Sequence, residues 1–189
     1  THSELERMKK ACRISAESLS VAEELIRPGI TTREIDRAMH DFIVRSGAKP
    51  SFLGLYGFPA SACISVNDVV IHGIPGDYHL QEGDIVSIDV GACCDGFHGD
   101  NAYTFPVGQI SEENQRLLRV TQESLYKGIE AAVIGNRIGD ISFAVQSHVT
   151  PYGFGIVRQF VGHGVGKALH EDPEVPNFGK AGHGPRLVE

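Results

Sequence analysis

Residues 83–105 read GDIVSIDVGACCDGFHGDNAYTF, and the fold is decided by how this stretch pairs with itself. Ile85, Ser87 and Asp89 fall on one face and Val86, Ile88 and Val90 on the other, which is the period of two that marks a half-buried strand. CCDG at 93–96 is a turn signal ending in Asp-Gly. Residues 97–105 return as a second strand, so 84–105 predict a β-hairpin with Asp89 on one arm and Asp100 on the other.

Upstream of the hairpin the signals are helical. Ser3 with Glu6 forms a capping box opening an amphipathic run to about Ile26, which Pro28-Gly29 ends. Thr31 with Glu34 forms a second box, opening a helix to about Ser46, and Gly47 stands where a helix end takes a left-handed residue. SACISV at 61–66 predicts a strand, followed by an Asn67-Asp68 turn and a second short run at 69–72. Downstream, Ser111 opens a helix over 112–132, and Gly139-Asp140 precede a fourth helix to about Val149, closed by Pro151 and Gly153. A strand is expected at 156–162, and the Pro-, Gly- and charge-rich stretch 171–189 predicts no secondary structure.

The two halves share this order. GITTREIDRAMHDFIVRSG at 29–47 aligns with GNRIGDISFAVQSHVTPYG at 135–153, pairing Gly29 with Gly135, Ile35 with Ile141 and Gly47 with Gly153. Either the chain is a pseudo-repeat or Gly-bounded helices align by chance. A repeat predicts an α+β fold in one domain spanning 1–189, with halves at about 1–106 and 107–189 and helix pairs backing a mixed sheet. Residue 189 then corresponds to residue 83, so the second copy is expected to lack its last hairpin, the counterpart of the one carrying Asp89 and Asp100.

Composition narrows the class. The chain has 189 residues, 41% hydrophobic and 22% charged, with a net charge of -7, as ordinary globular enzymes do. Lys and Arg are scattered, so no nucleic-acid footprint is expected. No apolar run approaches the roughly 18 residues of a membrane span, and THSELERMKK at the start has no signal-peptide core. Cys12, Cys63, Cys93 and Cys94 follow neither a CxxC nor a disulfide pattern, so reduced thiols and a cytoplasmic location are expected.

Asp89 and Asp100 are the first candidates for chemistry. Antiparallel pairing brings their carboxylates together, and two near-buried carboxylates need a proton, an arginine or a metal ion. Hard divalent ions take carboxylate oxygen, yet a turn residue and a hydrogen-bonded structural acid would give the same pattern. His163 in VGHGVG, His170 seven residues later and His72 in IHGIP all sit near glycines, and histidine supplies a ligand or a proton carrier near neutral pH. Each alone is more readily a surface or core histidine. HExxH, GxSxG, Walker and GxGxxG motifs are absent. Cys63 has no histidine at fixed spacing and reads as a small apolar wall residue.

CISVNDVVIHGIP at 63–75, GDIVSIDVGACCDGFHGDNAYTF at 83–105 and FVGHGVGKALHEDPEVPNFG at 160–179 together resemble the type I methionine aminopeptidases, of the pita-bread fold. The resemblance covers essentially the whole chain. It implies that Asp89, Asp100 and His163 are metal ligands, that His72 and His170 contact the substrate, and that Cys63 and Phe58 line the pocket for the methionine side chain. Leu55 stands where some members carry an aromatic. It implies two divalent ions, of Co, Mn, Fe or Zn, that activate water for attack on the first peptide bond of Met-peptides and nascent proteins. Family members carry two further glutamate ligands beyond His170; Glu174 and Glu189 lie in no matching motif. The chain is therefore expected to be C-terminally truncated, with reduced or absent metal occupancy, uncertain activity and an exposed sheet edge that favours self-association. The competing expectations are a related peptidase that cleaves before proline, and a catalytically inactive pita-bread fragment or partner-binding protein.

Overall fold

The hairpin forms, and the rest of its unit is built around it. In the computed structural model, which describes residues 1–189, strand β3 (Ile85–Cys94) pairs antiparallel with β4 (Phe97–Pro106) from Ile85↔Pro106 to Cys94↔Phe97. The strands run closer to the turn than the sequence suggests. Only Asp95 and Gly96 form the loop, with φ of 53° and 80°, the left-handed pair that a two-residue hairpin matched to strand twist requires. β2 (Ala62–Val66) and β1 (Lys49–Pro50) pair antiparallel with the other edge of β3, β2 over Val86–Val90 and β1 over Ala92 and Cys93.

The alternation then sets the packing. Val86, Ile88, Val90 and Ala92 are fully buried, whereas Ser87 and Asp89 point to the other face and are partly open. Helices α1 (His2–Leu25) and α2 (Thr32–Arg45) join the apolar face, α1 through Ala11 and Ile14, α2 through Ile35, Met39 and Ile43. Burial of each of the three α2 side chains contributes roughly 2 kcal/mol. α1 lies tight on β4 because Gly99 has no side chain: a Cβ there would run into the backbone of Ala11 and Cys12. These elements, residues Thr1–Ser111 with Val165–Leu169, form one compact unit.

Glu112–Gly164 with His170–Glu189 form the second. Helix α3 (Glu112–Ala131) packs on α4 (Ile138–Val149) at Gly128, where a Cβ would sit 3.1 Å from the Val145 side chain. A short antiparallel pair, β5 (Gly162–Gly164) and β6 (Glu171–Val175), completes it.

Five local expectations shift. α1 is capped by Thr1 with Glu4, not Ser3 with Glu6, because a helix extends to the earliest residue able to cap it. α4 starts at Ile138, inside Arg137, so Gly139 and Asp140 are helical and Asp140 accepts from the Arg137 N–H. Residues 69–72 are not a strand: the free edge of β2 is taken by Gly73, whose carbonyl accepts from the Ile64 N–H and whose N–H donates to Ser65 Oγ. The strand expected at 156–162 is confined to Gly162–Gly164, and its partner β6 arises in the stretch expected to be irregular.

One set of backbone hydrogen bonds occurs twice. In the first unit the Gly29 N–H bonds to Leu80 O, Leu80 N–H to Ile30 O, Thr32 N–H to Tyr78 O and Arg33 N–H to Gly76 O. In the second, Gly135 bonds to Leu187, Leu187 to Asn136, Ile138 to Pro185 and Gly139 to His183, through the same groups. Gly29 and Gly135 share φ of 92° and 94°, and Gly47 and Gly153 share 77° and 78°, values open to glycine without strain.

Candidate metal centre

Asp89 stands in the middle of β3, with Cys63 of β2 as its register partner on one side and Ala102 of β4 on the other. Asp100 is opposite Gly91. The two acids are thus diagonal neighbours on one face of the hairpin, and their side chains share a hydrogen bond. Two carboxylates can share one only if one of them keeps a proton. Burial is the first cause that pushes the Asp89 pKa up, and the negative charge of Asp100 is the second; the Val90 N–H works against both. A divalent cation suits this pair. Its charge does what the shared proton does, and hard ions bind carboxylate oxygen.

An apolar, sulfur-bearing cluster lies one strand away. Cys63 is 5% exposed, and its thiol is pushed up to about 12 by burial, then by the charges of Asp89, Asp100 and Asp36. A thiol held neutral is a packing group, not a nucleophile. Cys63 packs with Phe52 and Leu169, and Leu55, Phe58 and Val165 close around them. Sequence reasoning found Cys63, Phe58 and Leu55 in this cluster and missed Phe52, Leu169 and Val165. Only the position of Leu169 beside His170 hinted at it, because a buried apolar side chain in an irregular segment has no periodicity to betray it.

His72 follows the loop that leaves β2. It holds φ of 57°, a left-handed conformation that costs a residue with a Cβ roughly 1–2 kcal/mol. The bonds of Gly73 to Ile64 and Ser65 clamp the next residue and sustain it. Behind the loop, Asp84 is 7% exposed and accepts from Asn67 Nδ2, Tyr78 OH and the Gln81 N–H at 2.8–3.0 Å. Burial alone would raise the Asp84 pKa; these bonds overcome it and hold it below the ordinary value.

His163 and His170 meet in the second unit. The β5–β6 pairing brings their rings to 4.4 Å between centroids at 66°, with a register shift between His163 and Gly164. His163 Nδ1 is 2.8 Å from the Gly164 carbonyl oxygen, which can only accept, so Nδ1 carries the proton and the neutral ring has its lone pair on Nε2. A backbone carbonyl on one ring nitrogen is the usual partner of a histidine that ligates metal through the other. Neither unit by itself gathers three or more metal-holding side chains. The acid pair belongs to the first and the histidine pair to the second.

Residues 6–189 match metallopeptidase family M24. The chain is 58% identical over 185 residues to methionine aminopeptidase of Clostridium perfringens, covering 98% of this chain and 74% of that one. It is 50% identical over 187 residues to methionine aminopeptidase 1 of Bacillus subtilis, covering 99% and 75%. The structure matches crystalline methionine aminopeptidase from Rickettsia prowazekii with a TM-score of 0.98 at 38% identity, over all of this chain and 76% of that one. Prolidase from Pyrococcus furiosus matches with a TM-score of 0.87 at 27% identity, over all of this chain and 54% of that one.

Proposed function

Since this chain belongs to metallopeptidase family M24 and has the pita-bread fold, we propose that it removes the N-terminal methionine from peptides and nascent proteins by metal-assisted hydrolysis. The observation that carries this reading is the register of Cys63 opposite Asp89, which sets an apolar, sulfur-lined cluster one strand from the carboxylate pair. A thioether suits such a cluster, because both are polarisable and neither needs a hydrogen bond.

Asp89, Asp100 and His163 are the residues of this chain that would hold metal. Two divalent ions bound there would supply Lewis acidity toward the scissile carbonyl and lower the pKa of the attacking water. The chain's own side chains do the rest. Cys63, Phe58 and their neighbours bind the methionine side chain and exclude water from it. His72 bonds to the peptide nitrogen, and its fixed backbone sets that bond's direction. His170 donates to the carbonyl oxygen as negative charge builds there. Four cysteines without a disulfide suit a reducing cytoplasm, and no helix is long and apolar enough to cross a membrane.

The test is release of methionine from Met-Ala-Ser with added Mn or Co, beside a His163→Ala control and an Ala-Pro peptide. Release from Met-Ala-Ser that the substitution abolishes supports the proposal. Preferential cleavage of Ala-Pro would reassign the chain to the proline-directed branch, to which the prolidase likeness points.

A further inference from the structure

Ser51 and His98 take no part in the chemistry described above, yet three segments of the first unit are tied together at them. The Ser51 N–H donates to Gly91 O at 2.9 Å, and Ser51 Oγ lies 2.8 Å from His98 Nδ1. Gly91 is the register partner of Asp100 and sits two residues past Asp89. It has no room for a side chain: a Cβ there would be 2.7 Å from Ser51 Cβ and 2.9 Å from the Phe52 ring. Ser51 and Phe52 therefore press directly on the strand between the two acids. Phe52 continues into the apolar cluster with Cys63 and Leu169. On the other side, the His98 N–H donates to Gly166 O at 2.8 Å, holding the segment that brings Val165 and Leu169 into the same cluster.

We propose that Ser51 and His98 are positioning residues whose side-chain hydrogen bond fixes both walls of the methionine pocket, residues 52–58 and 165–169, at a set distance from the Asp89–Asp100 pair. The proposal rests on the reading of that cluster as the methionine pocket. The geometry favours a positioning role over a local tie. His98 is bonded through its side chain to one wall and through its backbone to the other, and it stands two residues from Asp100 on the same strand. A displacement of the His98 main chain, which carries both bonds, moves both walls together. Ser51 cannot slide sideways to compensate, because its own N–H is committed to Gly91.

The experiment uses the full chain with Ser51→Ala, His98→Ala, the double substitution and His98→Asn, whose side-chain nitrogen stands near the place of Nδ1. Hydrogen exchange of the metal-free proteins is read first. Ser51→Ala is expected to speed exchange in 52–58 and in 165–169 together, with α1 and α2 unchanged, and His98→Asn to keep both segments protected. A response confined to 52–58, or none, overturns the proposal. Methionine release with Mn is read second, from Met-Ala-Ser and from Leu-Ala-Ser. A lost hydrogen bond of ordinary strength raises KM for the methionine peptide about five- to tenfold, with kcat little changed and the preference for methionine over leucine narrowed. An unchanged preference, or equal loss in kcat for both peptides, also overturns it. A wild-type chain that releases no methionine counts against the proposed activity alone, since the exchange experiment decides the positioning role without turnover.

Discussion

Asp89 has its pKa raised to about 7 by burial first and by the charge and hydrogen bond of Asp100 next, so it keeps a proton in mildly acidic solution where an exposed aspartate has lost it. Its folded pKa lies above its unfolded one, so the native state binds more protons than the unfolded state in between. The stability it contributes is therefore fully present below the ordinary carboxyl value of 3.8 and is lost as pH rises through the raised value. A metal ion reverses this, because it binds the deprotonated pair and releases the proton. Calorimetry is expected to show that Mn raises the melting temperature more at pH 7.5 than at pH 5.5; an equal shift at both would sink the idea that proton and metal compete for Asp89. Cys63 gives a second test. Its thiol, raised to about 12, is expected to resist iodoacetamide at pH 8 while the more open Cys93 reacts. Peptide mapping that finds both alkylated at one rate would contradict its placement in a dry wall.

Between residues and fold stand the devices that start and stop each element. The box of Thr31 and Glu34 satisfies donors at the head of α2 from both sides: Thr31 Oγ1 accepts from the Glu34 N–H, and Glu34 accepts from the Thr31 N–H. Thr31→Ala is expected to cost about 1 kcal/mol in urea unfolding, with the fold kept. Asp84 does comparable work for the loop that carries His72. Asp84→Asn keeps the shape but replaces one acceptor oxygen with a donor, which then faces either Asn67 Nδ2 or the pair of Tyr78 OH and Gln81 N–H, at an expected cost of about 1–3 kcal/mol. It should also speed exchange across 67–81 more than elsewhere. Normal stability in that variant would mean that the loop is anchored by its bonds to β2 alone.

At the scale of the chain, the hydrogen bonds repeated from Gly29 at Gly135 and from Leu80 at Leu187 support the pseudo-repeat, which we retain as a proposal. Leu125, Tyr126 and Ile129 are each more than half exposed on α3, so sedimentation is expected to show association that grows with concentration. The sequence by itself determined the features that depend on near neighbours. The period of two in 84–91 put Val86, Ile88 and Val90 inside and Asp89 on the opposite face, Asp95-Gly96 set the hairpin turn, and Thr31 with Glu34 placed the start of α2. Only the tertiary structure decided features that depend on distant partners. Residues 69–72 lost their strand because Gly73 took the edge of β2, β6 formed because β5 needed an edge partner, and Leu169, Val165 and Phe52 reached Cys63 through segments with no pattern of their own. Propensity and periodicity act over a few residues, whereas an open strand edge or an apolar wall is satisfied by whatever segment the fold carries to it.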